Sequence, residues 1–261
     1  MSSGREGLRP IGLVVSDIAK GHHLSLGEYD AAIVLDEQYV AGMQRIAEYS
    51  HLWVLTWLHL ADRDRLVPGP RRANAFLPEY GVFALRSPGR PNPIALSSVA
   101  LVGVEGNTLY VAGLDVLDRT PVLDVKPYNE RDTIFSPRGP RFLPTDREAR
   151  RARLERMALT HHGEACPWLL RAVEIALAAE ARLGPLEDDD VLLRVTGPGC
   201  LADALQGMTR ARFANPARLV YTPVEDGSGA AVEVEFRRGE TTLRFDEGAE
   251  ETADSFVGGL L

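Results

Sequence analysis

Seven short apolar runs, IGLVVS, AIVL, HLWVLTWLHL, GVFAL, SSVALVGV, TLYVAGL and PVLDV, follow one another in the first 140 residues, separated by Gly, Pro and Asp. That spacing predicts β-strands of a closed barrel or a sandwich rather than βαβ units. A helix is predicted over residues 38–47, QYVAGMQRIA, before the strand that starts at His51. The Pro- and Arg-rich stretch SPRGPRFLPTD at 136–146 reads as a boundary.

Beyond it the pattern changes. DREARRARLERM, from Asp146 to about Met157, predicts a charged helix capped by Thr145 or Asp146 that joins two parts of the chain. PWLLRAVEIALAAEARLG predicts a second helix, with Pro167 in its first turn and Gly184 as its stop. A strand VLLRV, a turn TGPG, a helix CLADALQGM and strands RLVYTPV, AAVEVEF and TTLRF complete a small α+β unit. The expected fold class is therefore mixed. A β-strand domain, barrel or sandwich, over residues 1–140, a charged helical linker over 141–157 and an α+β accessory domain over 158–261 make up the chain.

With 261 residues, 45% of them hydrophobic, the chain can bury a core without staples. No run of about 18 apolar residues occurs, and MSSGREGLRP lacks the apolar core of a signal peptide, so the expectation is a cytoplasmic protein with no membrane contact. Two cysteines, Cys166 and Cys200, are too few for a disulfide framework and read as free thiols or metal ligands. A net charge of -8 argues against a generic nucleic-acid binder. The acidic excess lies after residue 150, however, and Arg63, Arg65, Arg71, Arg72, Arg86 and Arg90 form a basic cluster ahead of it.

The most informative stretch is GVFALRSPGRPNPIALS at 81–97. Pro88, Pro91 and Pro93 each fix φ, so the loop has little conformational entropy and presents Arg86, Arg90 and Asn92 rigidly. Such a loop suits a carboxylate, a ribose or an adenine edge; the alternative is a stiff turn with surface arginines.

Extended to GVFALRSPGRPNPIALSSVAL, and taken with GLDVLDRTPVLDVKPY at 113–128 and YSHLWVLTWLH at 49–59, this stretch resembles the TrmO methyltransferases, also called the TsaA-like family. The resemblance implies a small β-barrel, usually a homodimer, that binds S-adenosylmethionine and methylates N6 of threonylcarbamoyladenosine beside the tRNA anticodon. It places cofactor contacts at His59, Leu60, Arg86, Leu96, Asp115, Val116, Leu117 and Asp118. The chemistry agrees: Arg86 can pair the methionine carboxylate, Asp115 or Asp118 can meet ribose hydroxyls or the ammonium, and Leu60 and Leu96 can sandwich adenine. Asp118 can equally be a turn residue before Thr120 and Pro121. Methyl transfer from a sulfonium is an in-line displacement that needs alignment more than a metal or a covalent nucleophile. Asp118, Asp124 and Tyr128 are candidates for a base or acceptor near the methylated nitrogen, and Lys126 for orienting an anionic substrate group.

The chain departs from that family in three places. VSDIAKGHHLSLGEYDAA, with His22 and His23, stands where a Pro-Arg-Gln loop is usual; Leu60 replaces a glutamine; Arg119 replaces the glycine of DGTP. These changes leave other acceptors open, a small molecule or metallocofactor precursor among them, as well as a non-catalytic module that senses the cofactor or carries metal.

The later segment HHGEACP at 161–167 and CLADALQGMT from Cys200 resemble the FmdE family through His162, Gly163, Cys166, Pro167, Cys200, Asp203, Ala204, Gln206 and Thr209. Each cysteine begins a predicted helix, where the macrodipole favours thiolate. His162, Cys166 and Cys200 are the candidate metal ligands, with zinc natural for mixed N/S donors; Glu164 stands where a histidine is usual. The alternatives are packing and capping residues, or a catalytic cysteine. GPGCLA at 197–202 fits a dinucleotide fingerprint, but Pro198 within the turn and the strands that follow argue against it.

Overall fold

The computed structural model describes residues 7–16, 31–64, 66–67, 78–137, 139–225 and 231–246. The chain divides into two compact units, with the boundary between Ile134 and Phe135. No helix among the described residues is long and apolar enough to cross a membrane.

The first unit is a closed barrel of β1 (Gly12–Ser16), β2 (Ala31–Leu35), β3 (His51–Trp57), β4 (Ile94–Glu105), β5 (Thr108–Ala112) and β6 (Pro121–Pro127). Its strand order is β1-β2-β5-β4-β3-β6, and every pairing is antiparallel. Alternation along the strands sends Val14, Ile33, Leu52, Val54, Val99, Leu109, Val111 and Val122 inward. Closure between β1 and β6 is short, Gly12 opposite Val122 and Leu13 opposite Pro121. On its other side Gly12 lets β1 press close against β2: a Cβ there would lie 2.3 Å from the Val34 oxygen.

Two predicted elements differ. The helix expected over 38–47 is a pair of 3-10 segments, Glu37–Met43 and Ile46–Glu48, broken at Arg45, whose φ is 67°. Only Met43 is buried there, so no apolar stripe holds a longer α-helix against the barrel. GVFAL, expected as a strand, forms a 3-10 turn at Val82–Ala84 tied by the Val82 N–H to Leu66 O.

In the second unit, α1 (Arg147–His162), α2 (Pro167–Leu183) and α3 (Gly199–Thr209) pack with a sheet of β7 (Val191–Gly197), β8 (Leu219–Pro223), β9 (Glu233–Arg238) and β10 (Thr241–Asp246), ordered β10-β9-β7-β8. Asp146 caps α1 by accepting from the Ala149 N–H at 2.8 Å. Rather than linking two domains, α1 places Leu154 and Ala158 in the core of this unit. The pair β7 and β8 is parallel, crossing over through α3, so GPGCLA does occupy one strand-to-helix turn; β9 and β10 then run antiparallel. Helices α1 and α3 approach closely at Gly207, where a Cβ would sit 2.5 Å from the Cβ of His161.

A charged group lies inside this unit. Arg153 on α1 bonds Glu180 on α2 at 2.9 Å and also Glu187, with both carboxylates buried. Burial raises the Glu180 carboxyl above its ordinary value, Arg153 opposes the rise and Glu187 adds to it. Replacing Arg153 by Ala strands two buried carboxylates and is expected to cost about 3–5 kcal/mol. The folded-state pKa of Glu180 is raised, so the deficit should be largest near neutral pH and shrink as the pH falls through that raised value. Urea unfolding of Arg153→Ala across pH measures both effects.

Candidate functional site

Arg90 shapes the proline-rich loop from within. Its Nε donates to Ser87 O at 2.9 Å, and one Nη reaches Val82 O at 3.1 Å and Leu85 O at 2.5 Å. The guanidinium expected to face a ligand is therefore half-buried and occupied with the carbonyls of its own turn. Arg63 fastens the other side: its Nε donates to Pro91 O at 2.9 Å and its guanidinium lies 5.5 Å from the Trp57 ring centre. Arg86, by contrast, is exposed and donates to Leu96 O. A guanidinium has five N–H donors, so that bond leaves capacity for a carboxylate. Of the remaining basic cluster, Arg65, Arg71 and Arg72 lie outside the described residues, as do His22 and His23.

The turn from β5 to β6 meets this loop's strand. Ser97 Oγ lies 3.2 Å from Asp115 Oδ1, and Asp118 Oδ1 accepts the Ser16 N–H at 3.1 Å. Val116 points into the barrel core, 5% exposed, whereas Leu60 and Leu96 expose 70% and 43% of their surface. The strand ends explain the grouping. The connections β3–β4 and β5–β6 leave the same rim, where Trp57 pairs with Ile94 and Thr56 with Val122. That rim carries His59, Leu60, Arg86, Asn92, Leu96, Asp115, Leu117 and Asp118.

The other catalytic candidates follow along β6. Asp124 and Lys126 form an ion pair at 2.5 Å along β6, opposite Leu55 and Trp53. Tyr128 is at the opposite end, its N–H on His51 O at 3.0 Å and its ring 5.2 Å from Trp53. With about 3.3 Å of rise per residue, β6 carries Tyr128 roughly 20 Å from the rim. Asp124 lies level with Leu96, both opposite Leu55, so Asp118 and Asp124 stand nearest the rim, while Lys126 and then Tyr128 are carried away from it along the strand. Ser97, which orients Asp115, was not anticipated; the neighbouring Asn129 N–H and Trp53 indole, by bonding Asp132, hold that carboxyl below its ordinary value at the far end.

The second unit holds a compact cluster. Single ligand atoms of His162, Cys166 and Cys200 all lie within 4.8 Å of one another, with Cys166 Sγ 3.5 Å from His162 Nε2. Three helix ends make it: His162 closes α1 before Gly163 at φ 90°, Cys166 is the N-cap of α2, and Cys200 is in the first turn of α3. Asp203, one turn along α3, binds His162 Nδ1 at 2.8 Å and turns Nε2 toward the sulfurs. That bond raises the His162 pKa against the opposing effect of burial. Burial pushes the Cys166 thiol up, but the Leu169 N–H, His162 and the Trp168 N–H together bring it below its ordinary value. Burial, then the nearby Cys166 sulfur, raises Cys200. Two thiol donors and an imidazole oriented by a carboxylate fit a tetrahedral cation of borderline softness, with one position left for another ligand.

Both units resemble known families. The tRNA-methyltransferase O N-terminal domain matches residues 22–132, and the family described as FmdE, molybdenum formylmethanofuran dehydrogenase operon, matches residues 161–254. A probable S-adenosyl-L-methionine-binding protein of Methanothermobacter thermautotrophicus is 38% identical over 129 residues, 47% of this chain and 90% of that protein. The chain belongs to the TrmO family. A probable S-adenosyl-L-methionine-binding protein of Archaeoglobus fulgidus is 34% identical over 225 residues, 82% of this chain, and the match spans 60% of its length. The tRNA (adenine(37)-N6)-methyltransferase of Mus musculus is 30% identical over 201 residues, 75% of this chain and 42% of that protein.

Within this TrmO-family barrel the replacement of glycine by Arg119 has a visible cost, because Arg119 sits at φ 63°, in the left-handed region. Its N–H bonds Val14 O at 2.9 Å and Thr120 Oγ1 bonds Leu117 O at 2.6 Å, so the turn that carries Asp115 and Asp118 is held despite the side chain. The loop opposite depends on Arg90. Arg90→Ala is expected to leave its carbonyls without their donor and to make local opening easier by about 1–3 kcal/mol. Faster amide exchange confined to residues 82–93, with the unfolding midpoint of the second unit unchanged, is the outcome that checks it.

Proposed function

We propose that the barrel rim binds S-adenosylmethionine and that the protein methylates N6 of threonylcarbamoyladenosine in tRNA. The observation that carries this reading is the grouping at one rim of the exposed Arg86, the Ser97-bonded Asp115 and two exposed leucines, Leu60 and Leu96. Arg86 pairs the carboxylate of the methionine part, and Asp115, held by Ser97, meets ribose hydroxyls or the ammonium. Leu60 and Leu96 offer apolar faces to the adenine. When bound, the sulfonium supplies an electrophilic methyl group. The residues' contribution is alignment and exclusion of water, with Asp118 the rim carboxylate available to accept a proton or hydrogen bond from the acceptor nitrogen. The tRNA acceptor rests on kinship with the adenine-37 methyltransferases; a small-molecule acceptor is the competing reading.

Arg86→Ala should weaken S-adenosylmethionine binding by about 1.5–3 kcal/mol, the worth of a charged hydrogen bond, and calorimetry reads it directly. Unchanged affinity would remove Arg86 from the site. With tRNA as acceptor, transfer of labelled methyl to total tRNA is expected, and the affinity for tRNA should fall steeply with salt, log K against log salt sloping by about -0.7 to -0.9 per phosphate contact. Labelling of a small-molecule extract with no tRNA binding at about 50 mM salt would transfer the assignment to the other acceptor class.

A second reading concerns the His162, Cys166 and Cys200 cluster, which the donor geometry favours as a site for one divalent cation, zinc in the first instance. Elemental analysis of protein purified without chelators is expected to give about one equivalent, lost in Cys166→Ser. Chelation should lower the stability of the second unit and leave the barrel's affinity for S-adenosylmethionine in place.

A further inference from the structure

We propose that Cys166 and Cys200 are also a redox pair, a dithiol that closes to an intramolecular disulfide by exchange with small disulfides, so that the closed bond and a bound cation exclude each other. The exclusion rests on the cation reading above; the redox pair rests on geometry alone. These are the only two cysteines of the chain, 34 residues apart in sequence, yet their sulfurs are within 4.8 Å. Both are half-buried, so a small oxidant can reach them.

Their placement makes closure feasible. Each cysteine stands at the start of its own helix, Cys166 capping α2 and Cys200 opening α3, so both sulfurs lie at helix ends rather than within packed turns. A disulfide needs the sulfurs at about 2 Å, so closure has to bring together two sulfurs that already lie within 4.8 Å. Cys166 is the one placed to attack. Its Sγ accepts the Leu169 N–H at 3.3 Å and lies 3.5 Å from His162 Nε2, a ring that Asp203 holds in orientation.

The exchange balances as follows. The Cys166 sulfur attacks one sulfur of a small disulfide, RSSR; the S–S bond breaks and one RS⁻ departs. The Cys200 sulfur then attacks the Cys166 sulfur of the mixed disulfide, and the second RS⁻ departs. The two thiol protons end on the departing thiolates, so the protein dithiol has lost two electrons and RSSR has become two RSH. Once the bond has formed, neither sulfur is a thiolate and His162 is the one donor of the three still able to hold a cation.

The test uses the full chain, reduced, in metal-free and zinc-loaded forms, with excess oxidised glutathione as RSSR. In the metal-free protein both thiols should be lost, the intact mass should fall by two hydrogens, and peptide mapping should join Cys166 to Cys200. The zinc-loaded protein should release its metal to a chromogenic chelator as the bond forms. Cys200→Ser should accumulate a glutathione adduct on Cys166, and His162→Ala, which keeps both sulfurs, should still close. Glutathione adducts on both cysteines without a joined peptide, or thiols that survive in the metal-free chain, would overturn the pair even if zinc binds. A chain that binds no zinc yet forms the linked peptide would support the pair and sink the cation reading instead.

Discussion

Backbone carbonyls that leave the strand ladders and helix ends inside this protein are met by arginine side chains. Arg90 gathers the oxygens of Val82, Leu85 and Ser87, and Arg63 takes that of Pro91. In the second unit the buried Arg218 donates to Asp188, Val191, Thr209 and Arg210, and Arg238 to Leu183 and Pro185. A planar fork with five donors and no acceptor is the one side chain that can satisfy several turned-in carbonyls at once. The irregular segments that present the candidate sites owe their shape to this arrangement as much as to their prolines and glycines.

Much of the architecture could be read from periodicity. The short apolar runs AIVL and HLWVLTW, set apart by turn residues, mark strands, and Pro167 and Gly184 bracket α2 because each residue's φ preference suits that end of a helix. The metal-type cluster was also legible, since only a few side-chain types carry that chemistry. The inward turn of Arg90 was not, because a guanidinium serving carbonyls and one serving a ligand have the same sequence signature. Nor was the separation of Tyr128 from Asp118: ten residues of chain are short in a loop and long in a strand. The 3-10 turn at Val82–Ala84 is held by a bond from the Val82 N–H to the distant Leu66 O, which local pattern does not reveal.

The two units use opposite strategies to build a polar site. At the barrel rim, loops of low conformational freedom hold polar side chains at the margin of an apolar core. In the second unit three helix ends converge, and the Leu169 and Trp168 N–H groups at the start of α2 favour negative sulfur at Cys166.

Gly207 gives that convergence its scale. It is one helical turn beyond Asp203 on α3, and it lies against His161, the neighbour of His162 on α1. The gap between the two helices is therefore set by a missing methyl group. Asp203 and His162 meet because nothing stands between α3 and α1 one turn further on. A residue that donates no atom to the cluster thereby acts as its calliper, and in a mutational survey it would sort with the cysteines and the histidine rather than with the surrounding core.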